Sequence, residues 1–586
     1  MSLGSFDRND NIARLGDGTF DVLVVGGGIT GAGVALDAAA RGLSVALVER
    51  DDFASGTSSK SSKLVHGGLR YLQNGDVRLV YEALRERQRL LGNAPHLVRV
   101  LPFLIPVFSG KGGIIPRKVA RALGSAMWMY DLTGGLRIGK LHKRLKRDAA
   151  LAHMPTLDDR LAWAYLYYDA QADDARLTLT VARTAALDHG ATVVNHASVV
   201  RVLHEGGAGT DGSVGTSNDG ANADGEGGRR VVGAVVDTGG SEVEVRARVV
   251  VNATGVWSDE VRALDEGTHP QSIRPAKGIH ITVPWHKVRN DIAAVVPVPR
   301  DRRSIFVVPW PGPSGVVGEE GSFTYIGTTD TDHDGGVDDP QCTPEDVAYL
   351  LEAMNRSLRE PLAESDVLGT WAGLRPLVRD AGSGRTADLS RRHRVVPSAG
   401  GMITVTGGKL TTYREMAEDT VDLAVRMLAE QGSVDDGGSR DRARRARRSP
   451  TARLPLRGAD GWDELAGSDP HLARRYGGEA RVVQAIVDAE PVLGEPLVPG
   501  LPYRRAEAVY AVRYEMATTL DDVLSRRTRS ILLGRDAVVA AADDVAGLMA
   551  PELGWSDGER AAQVERVRAA AERERRAGGL PAPSDV

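Results

Sequence analysis

Residues 20–50 change their hydrophobic period twice. DVLVV is a short β-branched run that ends in three glycines. ITGAGVALDAAARG is alanine-rich, spaces its apolar positions helically and closes on Gly42. LSVALVER is a second apolar run that ends in an acid. Strand, turn, helix and strand in that order make a βαβ unit. Further along, VRLVYEALRERQRLLGN (77–93) repeats leucine and valine every three or four positions, which predicts a helix with one apolar face. Strands are expected over 191–203, 229–252, 277–283, 304–309 and 323–328, and helices over 344–360 and 413–430. The tract at 204–230 is Gly, Asp, Ser and Asn with little to bury, and reads as a mobile surface insertion in a hairpin. The polar, arginine-rich stretch 431–453 reads as a linker, and the chain beyond it is mostly helical.

With 586 residues the chain exceeds one hydrophobic core, so about two to four domains are expected. A net charge of −5 argues against a general nucleic-acid binder. Cys342 is the single cysteine, which excludes an intramolecular disulfide and fits a reducing compartment. The polar N-terminus has no apolar signal core, and the uncharged run between Asp21 and Asp37 is too short and glycine-rich to span a bilayer. A cytoplasmic protein, attached at most to a membrane surface, is the expectation.

Gly26-Gly27-Gly28-Ile29-Thr30-Gly31 has the spacing G-x-G-x-x-G between strand and helix. The first glycine permits the tight turn, and the second lets a pyrophosphate approach the backbone. The third lets the helix pack on the sheet, while the helix N-terminus favours the anion. Glu49 ends the next strand, 18 residues after Gly31, where a carboxylate meets a ribose. Such a triplet is weak alone; strand, turn, helix and acid together point to a dinucleotide. The Ser/Thr/Gly-rich segment ASGTSSKSSKLVHGGLRYLQ that follows is unlike a nicotinamide enzyme. It is similar to the flavin contact region of the D-amino-acid-oxidase-like flavoproteins. Val251-Asn252-Ala253-Thr254-Gly255 resembles the ATG motif of that group, and the glycine pair of TGGKLTTY leads into a helix whose N–H groups suit the flavin carbonyls.

The words SSKLVHGGLRYL, VNATGVW, KGIHITVP, FVVPW, IGTTDTD, WAGLRPLVRD and GGKLTTYREMAE run in order over about residues 20–420. Together they resemble the FAD-dependent, quinone-linked glycerol-3-phosphate dehydrogenases, and YEMATTLDDVLSRRTR looks like that family's C-terminal domain. The resemblance implies an α/β and α+β chain. A Rossmann-like FAD-binding domain and an interleaved antiparallel-sheet substrate domain fill residues 1–430, the substrate sheet lying mainly at about 95–170 and 270–390. The linker 431–453 and a helical domain at 454–586 follow. Non-covalent FAD is expected at Gly26, Gly28, Ile29, Thr30 and Gly31 in the turn, and at Glu49 and Arg50 after it. Thr57, Ser58, Ser62, Lys63, Leu64 and His66 follow in the next segment. Val199, the group Ala253, Thr254, Gly255 and Trp257, and the run Gly408, Lys409, Leu410 and Thr411 complete the expected contacts.

A phosphate monoester needs fixed cations, and arginine supplies paired donors. Arg70, Arg375 and Arg391 are the expected phosphate ligands, with Tyr71 beside the first; Arg391 is less distinct because Arg392 and Arg394 adjoin it. Hydride transfer from a carbinol requires a base for the hydroxyl proton. His280 fits by residue type, because an unperturbed imidazole titrates near neutrality. His66 and Lys409 are alternatives, Lys409 also as a donor to the alkoxide. The acidic run Asp330, Asp332, His333, Asp334 reads as a solvated turn and no metal site is expected. The basic, aromatic segment 111–147 suits either an anionic lipid surface or a solvated cationic face around a buried Trp/Met cluster. Oxidation of sn-glycerol 3-phosphate with quinone reduction, by a peripheral homodimer, is what the resemblance implies. An oxygen-using oxidase, an amino-acid or amine oxidase of the same fold and a flavin-binding regulator with no turnover are the alternatives, and the C-terminal helices are expected to serve assembly or stability.

Overall fold

A computed structural model of the chain describes residues 6–68, 77–109, 124, 127–131, 138–206, 229–298, 303–379, 393–431, 446, 448–467 and 469–582. Two sheets organise it. In the first, strand Thr19–Val25 lies between Glu242–Asn252 and Val45–Val48, parallel to both, and Thr192–Val194 and Ile403–Thr406 extend the parallel set. Val45–Val48 is buried along its length, Thr19–Val25 from Phe20 onward and Glu242–Asn252 at its end from Val249, as a parallel sheet covered on both faces requires. Helix Ile29–Ala40 covers one face and packs on Tyr413–Gln431 and Asp174–Arg183. A Cβ at Gly33 would lie 2.8 Å from the Tyr413 ring, so the two helices meet only where a side chain is missing.

Among the described residues the second sheet has ten strands. Ile273–Pro284 pairs antiparallel with Gly369–Val378 and Phe323–Gly327, and Ser304–Trp310, Ala293–Pro297, Arg99–Phe108 and Leu161–Gln171 follow in order. Its edge is the short strand Leu64–Val65, paired with Ala170 and Gln171. The serine-rich segment after Glu49 thus leaves the first sheet and joins the second, spanning the seam between them. Among the described residues no helix is long and apolar enough to cross a membrane.

Beyond the linker, helices Arg505–Glu515, Arg535–Leu553 and Asp557–Ala577 share an apolar core. They meet the rest of the chain through buried charge. Arg527 donates to both oxygens of Asp52, at 2.5 and 2.8 Å, and Arg526 and Asn195 reach the same carboxylate. Arg529 donates to Asp174 and to the Ser59 carbonyl, and Lys63 binds the same two acceptors, at 2.9 and 3.1 Å. Arg176 pairs with Glu515, and Arg475 with Glu507. Charges this deep persist only when paired and hydrogen-bonded, because the desolvation penalty of a lone ion is large.

The hairpin strands Ser198–Glu205 and Arg230–Asp237 pair with each other; the tract between them lies largely outside the described residues. Most of the 431–453 linker is likewise outside them. Its end is docked: Thr451 donates to Asp37 at 3.1 Å, and Ala446 accepts from Arg41 at 3.2 Å.

Candidate active site

A cleft of about 480 Å³ opens where the two sheets meet. Its floor is the glycine turn. Gly26 has φ +108°, and a Cβ there would lie 2.8 Å from the Ala253 carbonyl. A Cβ at Gly31 would fall 1.9 Å from the Gly26 carbonyl, so the helix seats directly on the turn and only glycine fits. Gly31 therefore packs behind the cleft and does not line it. Gly28 and Thr30 line it, and the Ile29 amide donates to the Ser58 hydroxyl at 2.9 Å, at the helix end where an anion is favoured.

Glu49 turns one oxygen to the Gly27 amide, at 2.6 Å, and the other to the Asp51 amide, at 2.9 Å. Burial raises its pKa and the two amides oppose the shift. Arg50 stacks 5.0 Å above Trp257, and both hold Asp338, at 2.9 and 2.8 Å. Thr57 binds the Leu374 carbonyl at 2.6 Å, tying the serine-rich segment to strand Gly369–Val378. Leu64, Val199, Ala253, Thr254 and Gly255 complete this end of the cleft. Gly407 and Gly408, at φ +77° and +82°, turn the chain so that Lys409, Leu410 and Thr411 enter the opposite wall. There Thr411 accepts from the His66 amide at 3.1 Å. The helix Tyr413–Gln431 begins only after a 3-10 turn, Leu410–Thr412; the turn faces the cleft through Leu410 and Thr411, and the helix proper reaches it with Met416.

Lys63 departs from expectation. Its ammonium turns away from the cleft, fully buried among Ser59, Asp174 and the face of Trp371. Its side chain fixes the segment and does not line the cleft.

At the far end sits Arg375. Strand pairing sets it opposite Ala276, and its guanidinium lies over Gly278, where a Cβ would come within 2.3 Å of Nη2. The guanidinium donates to Thr328 and to the Thr329 carbonyl, both at 3.1 Å, and to Asp330 at 3.3 Å. Asp330 is only 7% exposed, which corrects the solvated-turn reading: the acid orients an arginine of the site. Its neighbour Asp332 does face solvent, paired with Arg274. The alternation in IGTTDTD held this signal, since a strand end puts successive side chains on opposite faces.

His280 lines the cleft two residues beyond Gly278. Its ring stacks on Trp371, with centroids 4.7 Å apart and planes 9° from parallel, and Nε2 lies 2.9 Å from the Ser62 hydroxyl. Burial, then the charges of Lys63 and Arg375, hold its pKa well below that of a free imidazole. The expectation of titration near neutrality is not met for this reason, since burial favours the neutral ring. Trp371, which seals it, was not expected from the sequence. His66 is also at the cleft, edge-on to Phe306 at 5.9 Å. Arg70, Tyr71 and Arg391 lie outside the described residues.

Comparison with known proteins bears on these residues. Residues 21–414 match the model of the FAD dependent oxidoreductases, and 449–560 match the C-terminal domain of alpha-glycerophosphate oxidase. Glycerol-3-phosphate dehydrogenase 2 of Mycobacterium tuberculosis is 39% identical over 96% of this chain and 89% of its own. The mitochondrial glycerol-3-phosphate dehydrogenase of Homo sapiens is 37% identical over 94% of this chain and 72% of its own. The solved glycerol-3-phosphate dehydrogenase of Bacillus halodurans, complexed with FAD, superposes with a TM-score of 0.69 at 29% identity, covering 96% of this chain and 97% of that one.

Proposed function

Because the chain belongs to the FAD-dependent glycerol-3-phosphate dehydrogenases, we propose that it oxidises sn-glycerol 3-phosphate to dihydroxyacetone phosphate in the cleft described above. The cleft suits the cofactor: a glycine turn leaves room for a pyrophosphate, Glu49 stands at the next strand end, and the Lys409–Thr411 turn faces it from the other wall. Bound FAD supplies the hydride acceptor. The observation that carries the reading is Arg375, seated in the same cleft over a glycine that clears space for its guanidinium.

Arg375 binds the phosphate, steered by Thr328 and Asp330, with Arg70, Tyr71 and Arg391 as further ligands. The carbinol proton passes to the Ser62–His280 pair. A phosphate dianion against Arg375 offsets one of the charges that depress His280, so substrate binding itself makes the ring a better proton acceptor. Lys409 steadies the developing alkoxide, and His66 packs against the turn that carries Thr411.

The electron acceptor we propose is a membrane quinone, reached from the inner face of the cytoplasmic membrane by a peripheral homodimer. Support for attachment comes from the described part of the basic segment 111–147. Trp128 and Met129 are 59% and 41% exposed there, while Met127 and Tyr130 turn inward. Exposed aromatics beside lysines suit a lipid interface. Anaerobic titration with glycerol 3-phosphate tests the whole reading. The flavin is expected to bleach, and to recover its colour much faster with a quinone analogue than in air. Equally fast recovery in air would make it an oxidase, and failure to bleach would remove the substrate.

A further inference from the structure

A second cavity, of about 400 Å³, lies between the substrate sheet and the C-terminal helices and shares no lining residue with the flavin cleft. Its walls include Trp310, Trp462 and Tyr503; its polar lining includes Arg99, Arg474 and His96. Charge accounting separates these arginines from the others nearby. Arg176 is answered by Glu515, and Arg475 by Glu507 and Asp173. Among the described residues Arg99 and Arg474 make no ion pair. Arg99 donates to the amide oxygen of Gln171 at 3.1 Å, and Arg474 to the Gly315 carbonyl. Burial, with Arg474 adding repulsion, pushes Arg99 down to about 10. His96 is 4% exposed, and its Nδ1 meets no hydrogen-bond partner among the described residues.

Arg176 and Arg475, buried beside Asp173 in the same lining, are matched by carboxylates as the cost of burying charge demands, whereas Arg99 is half-buried and Arg474 exposed, and neither is so matched among the described residues. Two like charges at one cavity, walled by indoles and a phenol, are an arrangement that an anion relieves. Guanidinium groups bind phosphate and carboxylate in paired fashion, and aromatic faces add stacking for a planar body.

We propose that this cavity is a binding site for a compact anion with a planar apolar body, an aromatic or heteroaromatic phosphate or carboxylate. Arg99 and Arg474 hold the anionic group, His96 adds a hydrogen bond, and Trp310 and Trp462 flank the ring. The site is independent of the glycerol 3-phosphate assignment, because the two cavities share no lining residue.

Phenyl phosphate is the probe, titrated into the FAD-loaded protein and followed by calorimetry and tryptophan fluorescence. Saturable binding of one equivalent is expected, at least ten-fold tighter than inorganic phosphate. Arg99→Gln and Arg474→Gln should each weaken it ten-fold or more with the flavin spectrum unchanged. Trp462→Ala, on a short and partly exposed helix, should weaken phenyl phosphate while leaving inorganic phosphate as it was. Arg375→Ala should leave all of this unaltered. No saturable binding to the wild type, binding indifferent to both arginine variants, or binding lost in Arg375→Ala would overturn the site.

Discussion

The flavin cleft and the seam beneath the C-terminal helices solve opposite problems with opposite residues. The cleft is made by leaving side chains out: Gly26, Gly28, Gly278 and Gly408 each stand where a Cβ would press on a neighbour or on the space a ligand needs. The seam is made by filling in. Asp52, Asp174, Glu507 and Glu515 are buried, and each is met by one or more arginines. An empty space can accept a ligand; a closed set of ion pairs cannot, and serves to hold the walls. The seam still bears on function, because Arg529 and Lys63 both grip the Ser59 carbonyl, in the segment that lines the cleft.

Substitutions at the glycines should break the comparison most sharply. Gly28→Leu projects into the cleft with only the Ser58 hydroxyl close by, 3.1 Å from the new Cβ. It should yield a folded, colourless protein with no retained flavin. Gly31→Val collides with the backbone at 1.9 Å and should lose flavin and stability together. A visible spectrum beside a melting curve separates the two. A fully yellow Gly28→Leu protein would remove the cofactor assignment.

Next in size is the seam. Asp52→Ala leaves Arg526 and Arg527 without their shared carboxylate, and breaking a buried pair on one side costs about 3–5 kcal/mol. Chemical denaturation of the FAD-loaded protein should show that loss, with bleaching by glycerol 3-phosphate preserved at low temperature. A change under 1 kcal/mol would mean that water already screens the pair. Arg375→Ala should do the reverse. It should weaken glycerol 3-phosphate by about 2–4 kcal/mol, as charged hydrogen-bonded contacts do, with flavin content and melting temperature near normal. An unchanged Michaelis constant would sink its role.

The same contrast explains what could be read from the sequence. Glycine requirements are local, so the turn at Gly26–Gly31, the Thr254–Gly255 bend and the Gly407–Gly408 pair showed themselves within a few residues. Helices 77–93 and 413–430 followed from their period to within a residue or so. Strand Arg99–Phe108 gave no such signal: Pro102 and Pro106 interrupt it, and prolines argue against a strand with neighbours on both sides. Strand Gly369–Val378 was hidden by Gly369, Gly373 and Pro376. The ion pairs of the seam were beyond reach, since Arg527 and Asp52 stand 475 positions apart. So was the environment of His280. Its residue type was legible, but its acidity depends on Trp371, Lys63 and Arg375, brought to it only by folding.

That environment sets the subtlest effect. A histidine held neutral in the folded enzyme accepts a proton at every pH above its own depressed value. Protonation that removes the base therefore begins only well below 6.5, the value of an exposed imidazole. The rate constant kcat/KM, which reports the free enzyme, should stay flat through the region where a solvent-exposed histidine would titrate. Folding stability should depend on pH in the matching sense. Unfolding frees the ring to take up a proton, so the contribution of His280 is lost as pH falls through 6.5 and is fully present above it. Trp371→Leu lets water reach the ring and should move the acid limb of kcat/KM up toward 6.5, leaving the limb set by other groups in place. Were the wild-type profile already to fall near 6.5, the titrating base would be a group less buried than His280, and His280 would lose its place in the mechanism.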